Sequence, residues 1–334
     1  MDFRLHLEEA AAPGRISTGR MPEPATVTAL VEEAYRHYAP IADGKVADYI
    51  PALAKAAPEL FGICVASVDG GVFSVGDAER PFSIQSMSKP FVFALVCQAL
   101  GGSEARDKVG VNATGLAFNS VMAIELNADR TMNPMVNAGA IATTSLAPGG
   151  NAEEKWKFIR EGLSRFAGRE LELDEEVYVS EAATNQRNQG MARLLQGYGR
   201  MYSDPDEATD IYTKQCALNV TAKDMAIMGA TLADGGVNPV TRERVMDADR
   251  CKRVLAVMAT AGLYEQSGDW LYEVGLPGKS GVAGGIVTIA PGKGGLGTFS
   301  PPLDGAGNSV RGQLVTKFLS EQLGLNLFAS RPVH

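Results

Sequence analysis

The sequence predicts an α+β fold, with an antiparallel sheet flanked by helices and a helical region inserted between the two parts of the sheet. Three observations carry this expectation. A β-hairpin pattern stands early in the chain, further strand-like segments stand late in it, and the long stretch between reads as helices. A chain that enters and leaves through one sheet wraps whatever lies between, giving a discontinuous α/β domain around a helical one. The expected boundaries are a flexible N-terminal tail over 1–25, the sheet domain over 26–109 and 240–330, and the mainly helical domain over 110–239.

The elements follow in order. Residues up to about Ala25 are polar, small and Pro/Gly-containing, as in a loose tail. Val27 to Tyr38 places its apolar residues at helical spacing. Leu60 to Val68, the turn Asp69-Gly70-Gly71 and Val72 to Val75 form a hairpin pattern. After Ser86 comes an apolar helix from Phe91 to Leu100. Pro90 falls in its first turn, where proline is tolerated, and Gly101-Gly102 ends it. Glu153–Phe166, Gln189–Gly197 and Thr221–Asp234 read as helices, the last capped by Thr221 and stopped by Gly235-Gly236. Arg244–Thr260 reads as another. Trp270–Val274, Gly281–Ala290 and Gly295–Phe299 mix β-branched, aromatic and glycine residues and read as strands, although glycine weakens a strand interior. Val310–Leu323 closes the chain as a helix.

Composition narrows the function. The 334 residues are 45% hydrophobic and 21% charged, enough for a substantial core. A net charge of -8 argues against broad contact with nucleic acid phosphates or an anionic membrane. The start, Met1-Asp2-Phe3-Arg4, lacks the basic and apolar regions of a signal peptide. Phe91–Leu100 is too short to span a bilayer, so a cytoplasmic protein is expected. Cys64, Cys97, Cys216 and Cys251 form no C-x-x-C pair and read as free thiols. The only histidines are His6, His37 and His334, which makes a Ser-His-Asp triad or a histidine metal site improbable. A serine enzyme built from this chain needs another base, and lysine is the candidate.

Two short motifs supply that chemistry. Ser86-Met87-Ser88-Lys89 opens the apolar helix, and Lys279-Ser280-Gly281 precedes a Gly/Val strand. They match S-x-x-K and K-[ST]-G, in order, the first and third motifs of serine β-lactamases and penicillin-binding proteins. Ser86 and Lys89, three apart on a helix, share one face. Lys89 can accept the serine proton only when its amine is neutral, which desolvation and a second cation such as Lys279 both favour. The backbone N–H groups of Ser86 and Val282 are placed to form an oxyanion hole. The second motif of that group, S-x-N or Y-x-N, is absent, and the nearest segment is Ser203-Asp204-Pro205. With no export signal either, this points to a relative of that fold acting on a different substrate.

Longer blocks make the resemblance specific. They are Gly44-Lys45-Val46-Ala47-Asp48-Tyr49-Ile50-Pro51, Phe82 to Lys89, Asn133-Pro134-Met135-Val136-Asn137-Ala138-Gly139-Ala140-Ile141, Ser180-Glu181, Asn188, and Tyr212 ahead of Cys216-Ala217-Leu218. Then come Gly262-Leu263-Tyr264, Leu276 to Val282, and Gly307-Asn308-Ser309. From about Gly44 to Ser309 the chain resembles the serine-dependent glutaminase family, which has a serine β-lactamase-like fold. Val136 stands where that family often has isoleucine.

The resemblance implies that L-glutamine is hydrolysed to L-glutamate and ammonia through a γ-glutamyl ester on Ser86, with Lys89 as base. It implies substrate contacts from Ser86, Asn137, Glu181, Asn188, Tyr212, Tyr264 and the backbone of Val282, and a lid segment gated by Tyr49. It implies no metal or organic cofactor and a homotetramer. The chemistry of the residues agrees. Glu181 can pair with the substrate ammonium, and Asn137 and Asn188 can donate to its carboxylate. Departing ammonia needs a proton, which a tyrosine hydroxyl or Lys89 can supply. Tyr264 is favoured, with Tyr212 left open. Two rivals share the motifs: another serine amidase or esterase of this fold, and a catalytically inactive binding protein. Glu181 speaks against the first, because a substrate without an ammonium has no use for a buried acid. Retention of Ser86, Lys89 and both tyrosines speaks against the second.

Overall fold

The computed structural model describes residues 19–128, 130 and 132–330. Most of the expected tail, 1–18, lies outside the described residues, and helix α1 (Pro24–Tyr38) already begins within its last part. The main sheet contains β1 (Gly62–Ser67), β2 (Val72–Gly76), β5 (Gly278–Gly281), β6 (Gly285–Ala290) and β7 (Gly294–Phe299) in the order β2-β1-β7-β6-β5. Each neighbouring pair is antiparallel. The early hairpin and the late strands therefore join in one sheet, Gly62 of β1 standing opposite Phe299 of β7. Two short strands, β3 (Phe82–Ser83) and β4 (Asn219–Val220), pair separately.

Alternation along β1 assigns the two faces of the sheet. Ile63 and Val65 pack with Val27 and Val31 of α1, and with Val315 and Leu319 of α13 (Val310–Gln322). Cys64 and Ala66 face the larger core, which includes Met225 and Ala226 of α10 (Ala222–Ala233). The glycines that weaken the late strand pattern have a packing reason. A Cβ at Gly297 would stand 2.0 Å from the carbonyl oxygen of Ala222, and one at Gly295 would stand 2.3 Å from that of Ala226. Helix α10 lies so close on β7 that no side chain fits between them. Thr221 caps α10 with Asp224 in a reciprocal capping box.

The remaining helices are α2 (Ser88–Leu100), α3 (Gly102–Val109), α4 (Met122–Leu126), α5 (Asn137–Ser145), α6 (Ala152–Ala167), α7 (Glu175–Ala182), α8 (Gln186–Gly197), α9 (Pro205–Cys216), α11 (Ala248–Ala261) and α12 (Ser267–Val274). Helix α2 is buried on every side from Ser88 to Cys97, as its unbroken apolar run requires. It ends at Gly101, whose φ of 95° suits glycine.

Three expected elements are corrected. Trp270–Val274 is the body of α12, not a strand. Trp270 and Val274, four apart, are buried while Tyr272 is exposed, and Gly275 closes the helix in the left-handed conformation. The expected strand Gly281–Ala290 is broken by a turn over 282–284, which separates β5 from β6. The helix expected from Arg244 starts at Ala248, because Arg244 bridges to Val237. All four cysteines are free and buried. No helix among the described residues is long and apolar enough to cross a membrane.

Candidate active site

Ser86 lies in a 3-10 turn, Gln85–Met87, that runs into α2. The chain enters that turn through Gln85 at a φ of 49°, a left-handed conformation that costs a non-glycine residue about 1–3 kcal/mol. The Gln85 side chain is pinned: its Nε2 donates to Ser83 Oγ and to Glu181 Oε2, both at 3.2 Å.

One helical turn on, Lys89 is buried. Its Nζ donates to Asn137 Oδ1 at 2.7 Å and to the carbonyl of Met135 at 3.5 Å. Burial pushes its pKa down to about 8. Asn137, the first residue of α5, links the groups around it. Its Oδ1 also accepts from the Tyr212 hydroxyl at 3.3 Å, and its Nδ2 donates to Asn188 Oδ1 at 3.0 Å. Its amide is thus engaged with Lys89, Tyr212 and Asn188.

Lys279 reaches the same region from β5. Its buried Nζ donates to the Ser280 carbonyl at 2.8 Å and stands 4.4 Å from the centre of the Tyr264 ring. Burial holds its pKa well below the ordinary lysine value, and the charge of Lys89 lowers it further. Burial is the main cause of the depression at both lysines, and their like charges interact, so each disfavours the charged form of the other.

Tyr264 begins a 3-10 turn after α11 with a φ of 55°, a second left-handed non-glycine residue at the site. Its hydroxyl donates to the Ser280 carbonyl at 3.3 Å. Burial raises the pKa of the phenol, and hydrogen bonding with Ser280 and Ser86 offsets part of that rise. The Tyr264 hydroxyl therefore stands beside Ser86.

These groups surround a cavity of about 250 Å³ lined by Ser86, Asn137, Glu181, Asn188, Tyr212 and Val282, with Tyr49 at its rim. Glu181, on α7, is buried, and that burial raises its carboxyl pKa to about 7 against the lowering pull of Gln85 and Lys89. Tyr49 is 55% exposed, as a residue at a mouth would be. Lys89 and Tyr264 stand behind the lining. Among the described residues no group of three or more His, Cys, Asp or Glu could hold a metal ion.

A family model described as Glutaminase matches residues 44–328. The chain belongs to the glutaminase family. It is 62% identical over 317 residues to Glutaminase 2 of Yersinia pestis, covering 95% of this chain and 93% of that protein. It is 49% identical to a glutaminase of Colwellia psychrerythraea, covering 92% and 99%. Among solved structures, a probable glutaminase, ybaS, superposes with a TM-score of 0.91 at 44% identity, covering 92% of this chain and all of that one. The Bacillus subtilis glutaminase YbgJ, in covalent complex with 5-oxo-L-norleucine formed from 6-diazo-5-oxo-L-norleucine, superposes with a TM-score of 0.82. It is 33% identical and covers 90% of this chain and all of that one. The fold is accordingly the β-lactamase-like fold of these glutaminases, and the protein is a hydrolase acting on an amide.

The candidate site also contains residues to which no role was assigned from sequence. Gln85 ties the Ser86 turn to Glu181, and Phe118, Arg187 and Cys216 line the cavity. Gln85 and Cys216 fall inside the quoted blocks, so the signal was present without a role. Arg187, next to Asn188 at the start of α8, carried no separate signal.

Proposed function

We propose that this chain hydrolyses L-glutamine to L-glutamate and ammonia through a γ-glutamyl ester on Ser86. One observation carries the proposal: a single cavity is lined by both a serine backed by a depressed lysine and a buried carboxylate. Ser86 Oγ attacks the side-chain carbonyl carbon while the neutral Lys89 amine accepts its proton. The oxyanion is held by the backbone N–H groups of Ser86 and Val282. The carbon–nitrogen bond breaks, and ammonia leaves with a proton relayed through the Tyr264 hydroxyl, which its contact with Ser86 favours over Tyr212. Water then cleaves the ester by the same route in reverse.

Glu181 receives the substrate ammonium, whose charge offsets the burial that raises the Glu181 pKa. Asn188 and Asn137 face the carboxylate, and Tyr49 closes the mouth. The division into a sheet domain over 26–109 and 240–330 around a helical domain over 110–239 fits a cleft between them. A cytoplasmic homotetramer is the accompanying proposal, resting on family resemblance. The test is release of equimolar ammonia and glutamate from L-glutamine by the purified protein. Absence of both products would overturn the proposal.

A further inference from the structure

Tyr264 carries the proton in the proposed mechanism from a backbone conformation that a tyrosine rarely adopts, with a φ of 55°. The chain has little freedom on either side of it. Before it, Gly262 lies so close on β5 that a Cβ there would stand 1.8 Å from the carbonyl oxygen of Gly278. After it, α12 is anchored by the buried Trp270, whose Nε1 donates to the carbonyl of Leu276 at 2.8 Å. The turn between these two anchors places its strain on Tyr264. A strained residue at a reacting site persists only where its surroundings fix it.

Ser267 supplies that hold. Its hydroxyl donates to the carbonyl of Tyr264 at 2.9 Å and accepts from the N–H of Leu263 at 3.0 Å. The two bonds clamp the peptide groups that enter Leu263 and leave Tyr264. Ser267 and Leu263 are both buried, so loss of the hydroxyl would strand an N–H away from water. The neighbouring Gln266 is braced as well: its N–H donates to the carbonyl of Leu263 at 3.0 Å, and its Oε1 accepts from Asn308 Nδ2 at 2.9 Å. From this turn the Tyr264 hydroxyl reaches the Ser280 carbonyl and Ser86. Ser267 does not line the cavity at Ser86; it lines a separate one of about 160 Å³.

We propose that Ser267 is a positioning residue for the hydrolysis, its hydroxyl clamping the Tyr264 backbone so that the phenol stands beside Ser86 when ammonia leaves. This rests on the proton relay through Tyr264 proposed above. Ser267 acts through Tyr264 and not on the substrate, so its loss bears on turnover and not on glutamine binding. Without the clamp, Tyr264 relaxes out of the left-handed conformation and its hydroxyl moves off Ser86. A displacement of about 1 Å at a reacting group costs on the order of 100-fold in rate.

The test measures kcat and KM for ammonia release from glutamine in Ser267→Ala, Ser267→Cys, Ser267→Thr, Tyr264→Phe and the double variant Ser267→Ala/Tyr264→Phe. Ser267→Ala should lower kcat roughly 10- to 100-fold while KM stays within about threefold. Ser267→Cys, whose thiol is a weak donor and acceptor, should fall between it and the wild type, and it takes the place of the alanine variant if that one does not fold. Ser267→Thr keeps the hydroxyl, and the cavity beside it gives the added methyl space, so kcat should return to within about threefold of the wild type. Tyr264→Phe should lower kcat about 100-fold or more. Adding Ser267→Ala to it should cost less than about twofold further, because the clamp acts through the phenol. Wild-type kcat in Ser267→Ala, a loss that multiplies with that of Tyr264→Phe, or a threonine variant as slow as the alanine one would overturn the clamp. Wild-type kcat in Tyr264→Phe would instead overturn the proton relay, and no ammonia from the wild type would overturn the glutaminase reading.

Discussion

The reacting end of the cavity and its recognition end are built differently. At the reacting end Ser86, Lys89, Lys279, Tyr264 and Val282 are all buried and come from β5, the start of α2 and three tight turns. At the recognition end Glu181 is buried. Asn188 is half-buried, Arg187 is exposed and Tyr49 is 55% exposed. Burial at the reacting end shifts the proton affinities that the chemistry uses. Openness at the recognition end allows a charged amino acid to enter before it is desolvated. Changes at the reacting end should therefore act on kcat, and changes at the recognition end mainly on KM.

The largest expected effect breaks the reacting end. Ser86→Ala should lower kcat on glutamine on the order of 10⁴-fold or more, with the fold and glutamine binding retained. Steady-state ammonia release and circular dichroism check this. Lys89→Ala should come within about tenfold of the same loss, and the double variant should be no worse than Ser86→Ala, because the two residues act as one unit.

The pH dependence separates the two ends. With Lys89 as the proposed base, acting deprotonated, kcat should fall as pH drops through about 8. With Glu181 as the proposed ammonium partner, acting ionised, kcat/KM should fall again as pH drops through about 7, while kcat, read with substrate bound, should lack that second limb. A kcat flat from pH 6 to 9 would count against the lysine base.

An intermediate effect tests recognition alone. Glu181→Gln keeps the shape and removes the charge. A charge-assisted bond is worth about 1.5–3 kcal/mol, so kcat/KM on glutamine should fall roughly 10- to 150-fold. N-acetyl-glutamine, which lacks the ammonium, should be a poor substrate that loses much less. An unchanged ratio of the two specificities would remove Glu181 from ammonium binding. The smallest effect belongs to Tyr49→Ala at the open rim. There KM should rise by less than about tenfold with kcat nearly kept, as for a residue that only closes the site.

Legibility in the sequence followed the same contrast. The S-x-x-K and K-S-G residues carry their own chemistry, and the apolar run after Ser86 could only be a buried helix. The Asp69-Gly70-Gly71 hairpin and the Thr221 cap were equally plain, because local rules specify them. What was missed depends on contacts distant in the chain. Trp270–Val274 looks strand-like residue by residue, and only the core reached by both Trp270 and Val274 makes it a helix. Gly295 and Gly297 looked like weak points in a strand until α10 lay against them. The hold of Gln85 on Glu181, 96 residues away in sequence, has no local signature. The depression of both lysines by burial could not be read before their neighbours were known.

The central claim is that Ser86 forms the covalent bond. The most direct measurement treats the protein with 6-diazo-5-oxo-L-norleucine and locates the adduct by intact mass and peptide mapping. The expected result is one adduct per chain on Ser86, lost in Ser86→Ala and slowed in Lys89→Ala. An adduct on Cys216, which lines the same cavity, would contradict it.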